Sequence, residues 1–241
     1  MDAPRVSVVI PCYNHARFLP EAVASVVAQR EPRWECVIVD DGSPDDTARV
    51  AEALIARYPG RAIRLLRQPN RGLAAARNAG IRACGAGYIL PLDADDQLMP
   101  EMIARTAAAL DARAEVGFVY TDVELFGAET GVWSGGAYSL ERLRFDNPMI
   151  PATLFRRRAW EQVGGFDEEM RRGFEDWDFW LRLAEAGWEG LHLPAPLVRY
   201  RRSPRSMLTD SWRRDLQLRA ALMLRHPALY EHEFLAWACA A

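Results

Sequence analysis

The sequence predicts an α/β fold built on a Rossmann-like, mostly parallel central sheet flanked by helices. Three observations predict it. Short β-branched runs alternate with helical apolar spacing from residue 5 to about 125. The first run, 6–10, is apolar without a break, as befits a strand buried on both faces. Three strand ends carry clustered polar residues, where open parallel sheets bind ligands. A chain of 241 residues is long enough for one such core.

The elements follow in order. Strand 6–10 ends at Pro11, and Leu19, Ala22, Val23, Val26 and Val27 then recur at helical spacing. Strand 34–39 runs into Asp40-Asp41-Gly42-Ser43. Ser43, followed by Pro44, has the form of an N-cap for a helix burying Val50, Ala51, Leu54, Ile55 and Tyr58. Strand 63–66, helix 72–83, strand 88–92, a helix from Pro100 to Leu110 and strand 118–125 continue the alternation, which calls for right-handed crossovers. After Phe126 the rhythm changes. Residues 127–136 are loop-rich, 152–155 are strand-like, a short helix surrounds Trp160, and 176–186 is an amphipathic helix. Residues 191–200 are extended but interrupted by Pro194 and Pro196, which suits an edge strand. No linker marks the shift. The expected organisation is one domain over 1–207, with halves 1–125 and 126–207, the second smaller and mixed, then a C-terminal helical extension over 208–241.

Composition excludes several classes. The net charge of −3 provides no basic field for nucleic acid. All 30 basic residues are Arg, so chemistry needing a P-loop Lys or a Schiff-base Lys is ruled out. Cys12, Cys36, Cys84 and Cys239 form no CxxC pair, which argues against a zinc cage and for free thiols in a reducing compartment. No signal sequence and no run of roughly 20 apolar residues is visible. The expected location is cytoplasmic, with peripheral attachment to the inner face of a membrane left open. Nothing in the sequence sets an oligomeric state.

The sharpest chemical signal is Asp93-Ala94-Asp95-Asp96. Three carboxylates in four residues ionise more easily around a divalent cation. Oxygen donors without His or Cys favour Mg²⁺ or Mn²⁺ over Zn²⁺. A solvated acidic turn ahead of Pro100 is the plainer alternative. Asp41 has two readings, helix cap or acceptor for the imide N–H of a pyrimidine base; with Ser43 as cap, its carboxylate is spare. Tyr13 could stack on a base or pack inward. The first βα turn has no GxGxxG, which speaks against a dehydrogenase-type dinucleotide site. In segment 70–80, small residues allow close backbone approach, and Arg71 and Arg77 could face anionic groups. Glu175-Asp176-Trp177-Asp178-Phe179-Trp180 begins a helix whose dipole favours acids. Its interleaved aromatics would raise a carboxylate's proton affinity, as a general base for a hydroxyl requires, and would suit sugar rings. The four His show no metal-ligand spacing.

Taken together, the ordered motifs resemble an inverting family 2 glycosyltransferase with a GT-A fold, over about residues 5 to 207. They are Val6-Ser7-Val8-Val9-Ile10-Pro11-Cys12-Tyr13-Asn14, Val39-Asp40-Asp41-Gly42-Ser43, Asn70-Arg71-Gly72 with Ala76-Arg77-Asn78-Ala79-Gly80, Leu92-Asp93-Ala94-Asp95-Asp96, Val163-Gly164-Gly165-Phe166-Asp167-Glu168, and Glu175-Asp176-Trp177-Asp178. The resemblance implies a nucleotide-diphosphate sugar donor (UDP-, dTDP- or GDP-linked) and an acceptor hydroxyl on a carbohydrate or lipid-linked glycan. It implies that Pro11, Tyr13 and Asp41 hold the base and that Asp93 and Ala94, with Arg71 and Arg77, lie along the donor. Asp95 would bind Mn²⁺ or Mg²⁺ on the diphosphate, and Asp176 would be the catalytic base. Glu175, Trp177 and Trp180 are candidates for the acceptor side. These acids, Asp41, Asp95 and Asp176 among them, are expected around one hollow.

One departure stands out. Where many members end in Tyr-Arg-x-His, this chain has Tyr200-Arg201-Arg202-Ser203, so Arg201, Arg202 or Arg205 could neutralise phosphate instead. The QxxRW pattern of processive members is missing, which favours single addition. Two other readings stay open: a non-catalytic nucleotide-sugar-binding module, and a phosphatase or phosphotransferase using Asp93 as nucleophile and Asp95 as acid.

Overall fold

The computed structural model describes residues 3–203 and 215–240. β1 (Val6–Cys12) pairs in parallel with β2 (Trp34–Asp40) on one side and β4 (Tyr88–Pro91) on the other. β3 (Ile63–Arg67) extends the parallel run beyond β2. Alternate residues of β1 serve opposite layers: Val6, Val8 and Ile10 face one core cluster, and Val9 faces the other. On the first side pack α1 (Leu19–Val27), α2 (Thr47–Arg57) and α4 (Met102–Asp111). On the second pack α3 (Leu73–Arg82), α6 (Arg157–Gln162) and α7 (Glu175–Glu185).

The second half completes the same sheet with mixed pairing. β6 (Val116–Gly127) does not join β4; the short β8 (Leu154–Arg156) lies between them, antiparallel to both. β9 (Glu189–Arg202) runs parallel to β6, and β7 (Gly131–Trp133) pairs with β6 as a hairpin. The two-residue β5 (Gln97–Leu98) closes the far side, giving the order β3-β2-β1-β4-β8-β6-β9-β5. The edge position expected for β9 is therefore corrected: β5 flanks it at Val198 and Arg199. Its prolines fall where the register with β6 jumps from Leu193 to Pro196, a bulge that absorbs their missing N–H.

The helix after β2 also starts later than expected. α2 begins at Thr47, and Ser43 does not cap it. The Ser43 hydroxyl instead donates to the Cys12 carbonyl at 3.3 Å and accepts from the Asn14 amide at 3.2 Å, tying together the ends of β1 and β2. Asp45 accepts from the amide and hydroxyl of Thr47 at the start of the helix.

Helix α3 lies close on β1 and β2 because Gly80 has no side chain. A Cβ there would stand 2.4 Å from Val9 Cγ1 and 2.9 Å from Val39 Cγ2. Gly80→Ala is expected to destabilise the fold by about 1–3 kcal/mol through overpacking. An unchanged urea midpoint would contradict that.

Beyond the sheet, α5 (Leu140–Leu143) lies in the connection from β7 to β8. The C-terminal segment contributes α8 (Asp215–Arg225), a 3-10 turn (Pro227–Leu229) and α9 (His232–Ala240). The boundary expected at 207, and Arg205, lie outside the described residues. No described helix is long and apolar enough to cross a membrane.

Candidate active site

The carboxyl ends of β1, β2 and β4 lie side by side, because Cys12 pairs with Asp40 and Val9 with Pro91. Pro11 is buried in β1, while Tyr13 just beyond it is 50% exposed. Asp41 is buried and engaged. It accepts from the amides of Arg71 and Gly72, both at 2.9 Å, and from Gln68 Nε2 at 2.7 Å. The carboxylate read as spare thus organises the loop before α3. The Arg71 side chain turns outward to Glu168 at 2.8 Å.

The acidic turn after β4 distributes its carboxylates. Ala94 is buried, and Asp93 and Asp95 are half-buried. Asp96 is buried and accepts from the Arg201 amide at 2.8 Å. Burial, then the charge of Asp93, raises the proton affinity of Asp95; the same causes, with Asp95 added, raise that of Asp96 well above the ordinary range. Arg201 donates through Nε to the Asp95 carbonyl at 3.0 Å and reaches Glu21 through Nη2, its guanidinium lying against Phe18 and Phe126.

Arg77 connects this turn to α7. Its side chain is fully buried, with Nη2 2.9 Å from Asp93 Oδ1 and Nη1 2.7 Å from Glu175 Oε1. The ligand-facing role foreseen for Arg77 is thereby corrected, since both Nη groups go to carboxylates of the chain. Desolvation opposes its charge, but Asp93 and Glu175 prevail and raise its pKa.

Helix α7 starts at the cleft. The chain enters it through Gly173 (φ 112°) and Phe174 (φ 65°), a left-handed conformation costly for Phe. The three acids of its first turn then diverge. Glu175 turns to Arg77. Asp176 accepts from Asn147 Nδ2 at 3.1 Å and lines a cleft of about 470 Å³. Burial first, then the Glu175 charge, pushes its pKa up to about 7, against Arg77 and the Asn147 hydrogen bond. Asp178 points elsewhere, to Arg182 at 2.7 Å and His226 at 3.1 Å. Burial would raise its pKa, yet those partners hold it below the usual value.

Asp93, Arg77, Glu175, Asp176 and Trp177 share this cleft, whereas Asp41 and Asp95 do not reach its lining. The single hollow expected for Asp41, Asp95 and Asp176 is corrected accordingly: amides close around Asp41, and of the two half-buried acids after β4 only Asp93 lines the cleft. Trp177 packs on Phe174 and donates to the Leu143 carbonyl at 2.6 Å. Trp180 is corrected as an acceptor-side residue. It lies one turn deeper, fully buried among Phe118, Phe155 and Phe179.

Sequence reasoning missed Asn147, whose only signal was its place in the irregular stretch before Ile150. It also missed His226. This buried imidazole has Nδ1 2.8 Å from Glu185 and Nε2 3.1 Å from Asp178, so both nitrogens face carboxylates. Desolvation works against its charge, and the two acids overcome it and raise its pKa. The available signal was Asp178 and Glu185 at i, i+7, two acids on one helix face.

Among the described residues, no group of three or more His, Cys, Asp or Glu side chains is arranged to hold a metal alone. Asp93 and Asp95 fit a different arrangement, two hard oxygen donors sharing a cation with a ligand's phosphates. The mutual repulsion that raises Asp95's proton affinity is what such a cation would relieve.

Residues 7–161 match the profile described as Glycosyl transferase family 2. The chain belongs to this family. The match ends before Asp176. A chondroitin synthase of Escherichia coli is 32% identical over 188 residues, which are 76% of this chain and 27% of that protein. The chain thus spans about a quarter of the length of that relative. The mannosyltransferase PcManGT from Pyrobaculum calidifontis, solved in complex with GDP-Man and Mn²⁺, superposes with a TM-score of 0.75 at 22% identity, covering 92% of this chain and 65% of that one. TarS of S. aureus, solved with UDP-GlcNAc, gives 0.75 at 18% identity, covering 91% of this chain and 66% of that one. The family 2 chain has the GT-A architecture its motifs resembled.

Proposed function

We propose that this family 2 enzyme transfers one sugar, with inversion, from a nucleotide-diphosphate sugar to an acceptor hydroxyl, with Asp176 as general base. The observation that carries the proposal is the shared cleft, with Asp93 from the end of β4 and Asp176 from the start of α7, joined beneath by Arg77. Donor complexes of the structural neighbours support a nucleotide-sugar ligand.

In this reading Tyr13 stacks on the base, with Pro11 beneath, and Asp41 orders the loop beside them through the amides of Arg71 and Gly72. Asp93 and Asp95 would hold Mn²⁺ or Mg²⁺, whose chemistry is to neutralise charge on the departing diphosphate. Ala94 keeps the two carboxylates in place by packing inward. Arg71, whose side chain pairs with Glu168, would exchange that carboxylate for a phosphate of the donor. Asp176 takes the acceptor proton from the face opposite the leaving group, and the new bond forms with inverted configuration. Arg77 and Asn147 keep Asp176 from retaining its proton too tightly. The free cysteines accord with the cytoplasm, where an acceptor on a glycan or lipid-linked glycan at the inner membrane face is in reach.

The test is a panel of UDP-, dTDP- and GDP-sugars with glycoside acceptors and Mn²⁺ or Mg²⁺, read by mass spectrometry of released nucleotide. Transfer of sugar to acceptor is expected. Binding of no nucleoside diphosphate would overturn the proposal, and binding without any transfer would leave a binding module. Asp95→Ala is expected to abolish the Mn²⁺-dependent part of donor affinity in calorimetry. The same Mn²⁺ dependence as the natural chain would remove Asp95 from the metal site.

A further inference from the structure

The described guanidiniums that line the cleft are already matched. Arg77 pairs with Asp93 and Glu175. Arg202 pairs with Glu129 at 3.2 Å. Arg219 pairs with Asp215 at 2.6 Å and lies 5.0 Å over the Trp177 ring. Among the described residues, six carboxylates line the cleft against these three guanidiniums; with Arg142 held on Asp146, acids still outnumber bases there. The rest of the wall is largely apolar: Val123, Leu125, Trp133, Met149, Ile150 and Phe174. This surface starts beside the general base. Asn147 donates to Asp176 and accepts from the Met149 amide at 3.1 Å, which ties the 147–150 stretch to that carboxylate.

Among the described residues, an anionic acceptor would meet more acids than bases, with the guanidiniums engaged. A neutral acceptor with an apolar arm would bury that arm against the wall while its hydroxyl meets Asp176. Resting on the glycosyl-transfer reading above, we propose that the acceptor is an uncharged glycoside or glycolipid carrying an alkyl or aryl group next to the reacting sugar.

Three probes test this by calorimetry in the presence of nucleoside diphosphate: an octyl hexoside, the corresponding methyl hexoside and the octyl hexuronide. The octyl hexoside is expected to bind at least about tenfold more tightly than the other two. Trp133→Ala and Ile150→Ser, two half-buried wall positions, are each expected to weaken octyl hexoside binding by about tenfold while leaving nucleoside diphosphate affinity unchanged. Equal or tighter binding of the hexuronide or the methyl hexoside, or no binding of the octyl compound, would overturn the inference. The nucleotide titration separates the failures. Nucleotide binding with the wrong acceptor order defeats the acceptor inference alone, and absent nucleotide binding defeats the transferase reading beneath it.

Discussion

Asp176→Asn is expected to lower kcat by about 10²–10⁴-fold, the range for loss of a positioned general base, with donor affinity nearly unchanged. The Asn keeps the shape of the carboxylate and a partner for Asn147, so the loss falls on proton transfer. The natural enzyme should show kcat/KM rising with pH through an apparent pKa near 7, because only ionised Asp176 accepts the proton. The variant should lack that limb. Stability should move the other way. Folded Asp176 keeps its proton up to about 7, and an unfolded Asp only to about 3.9. Between these values the folded state binds the extra proton, so its advantage is lost as pH rises. Asp176→Asn escapes this loss. Its melting temperature, relative to the natural chain, should be higher at pH 8 than at pH 5. Full activity in the variant would reassign the base to Glu175, whose carboxylate shares the cleft.

Arg77→Leu is expected to cost about 3–5 kcal/mol, read as a lowered urea midpoint. The change leaves Glu175, with 7% of its side chain exposed, and half-buried Asp93 without their shared cation. Arg77→Lys should not restore stability, because one ammonium cannot span two carboxylates that the guanidinium meets at separate nitrogens. Adding Glu175→Gln to Arg77→Leu should recover part of the loss by removing the most deeply buried uncompensated charge. A double variant no more stable than Arg77→Leu would show that the pair's worth lies in packing instead.

The sequence made β1, β2 and β4 legible because each is a local, largely buried apolar run, and local pattern was sufficient there. It did not reveal that β8 separates β4 from β6. A three-residue strand carries no readable period, and its nearest pairing, Val119 with Leu154, spans 35 positions of sequence. The same holds for β5, whose two residues read as part of the acidic turn. In the site, the topology rule anticipated that the polar ends of β1, β2 and β4 would lie side by side. What sequence could not supply was the pairing across it. Arg77 and Glu175 are 98 positions apart, and nothing local says which acid a buried guanidinium will choose. Trp180 misled because aromatics on a helix that begins with acids look alike whether they face a sugar or Phe155.

The His226 clasp has a practical consequence. Its two acids belong to α7, the helix whose first turn bears Asp176. Displacing the tail would therefore strip two carboxylates of the Asp176 helix of their shared imidazole. Purification handles and reporter fusions belong at the amino end, and a trimmed tail should be checked for turnover before it is used for crystals.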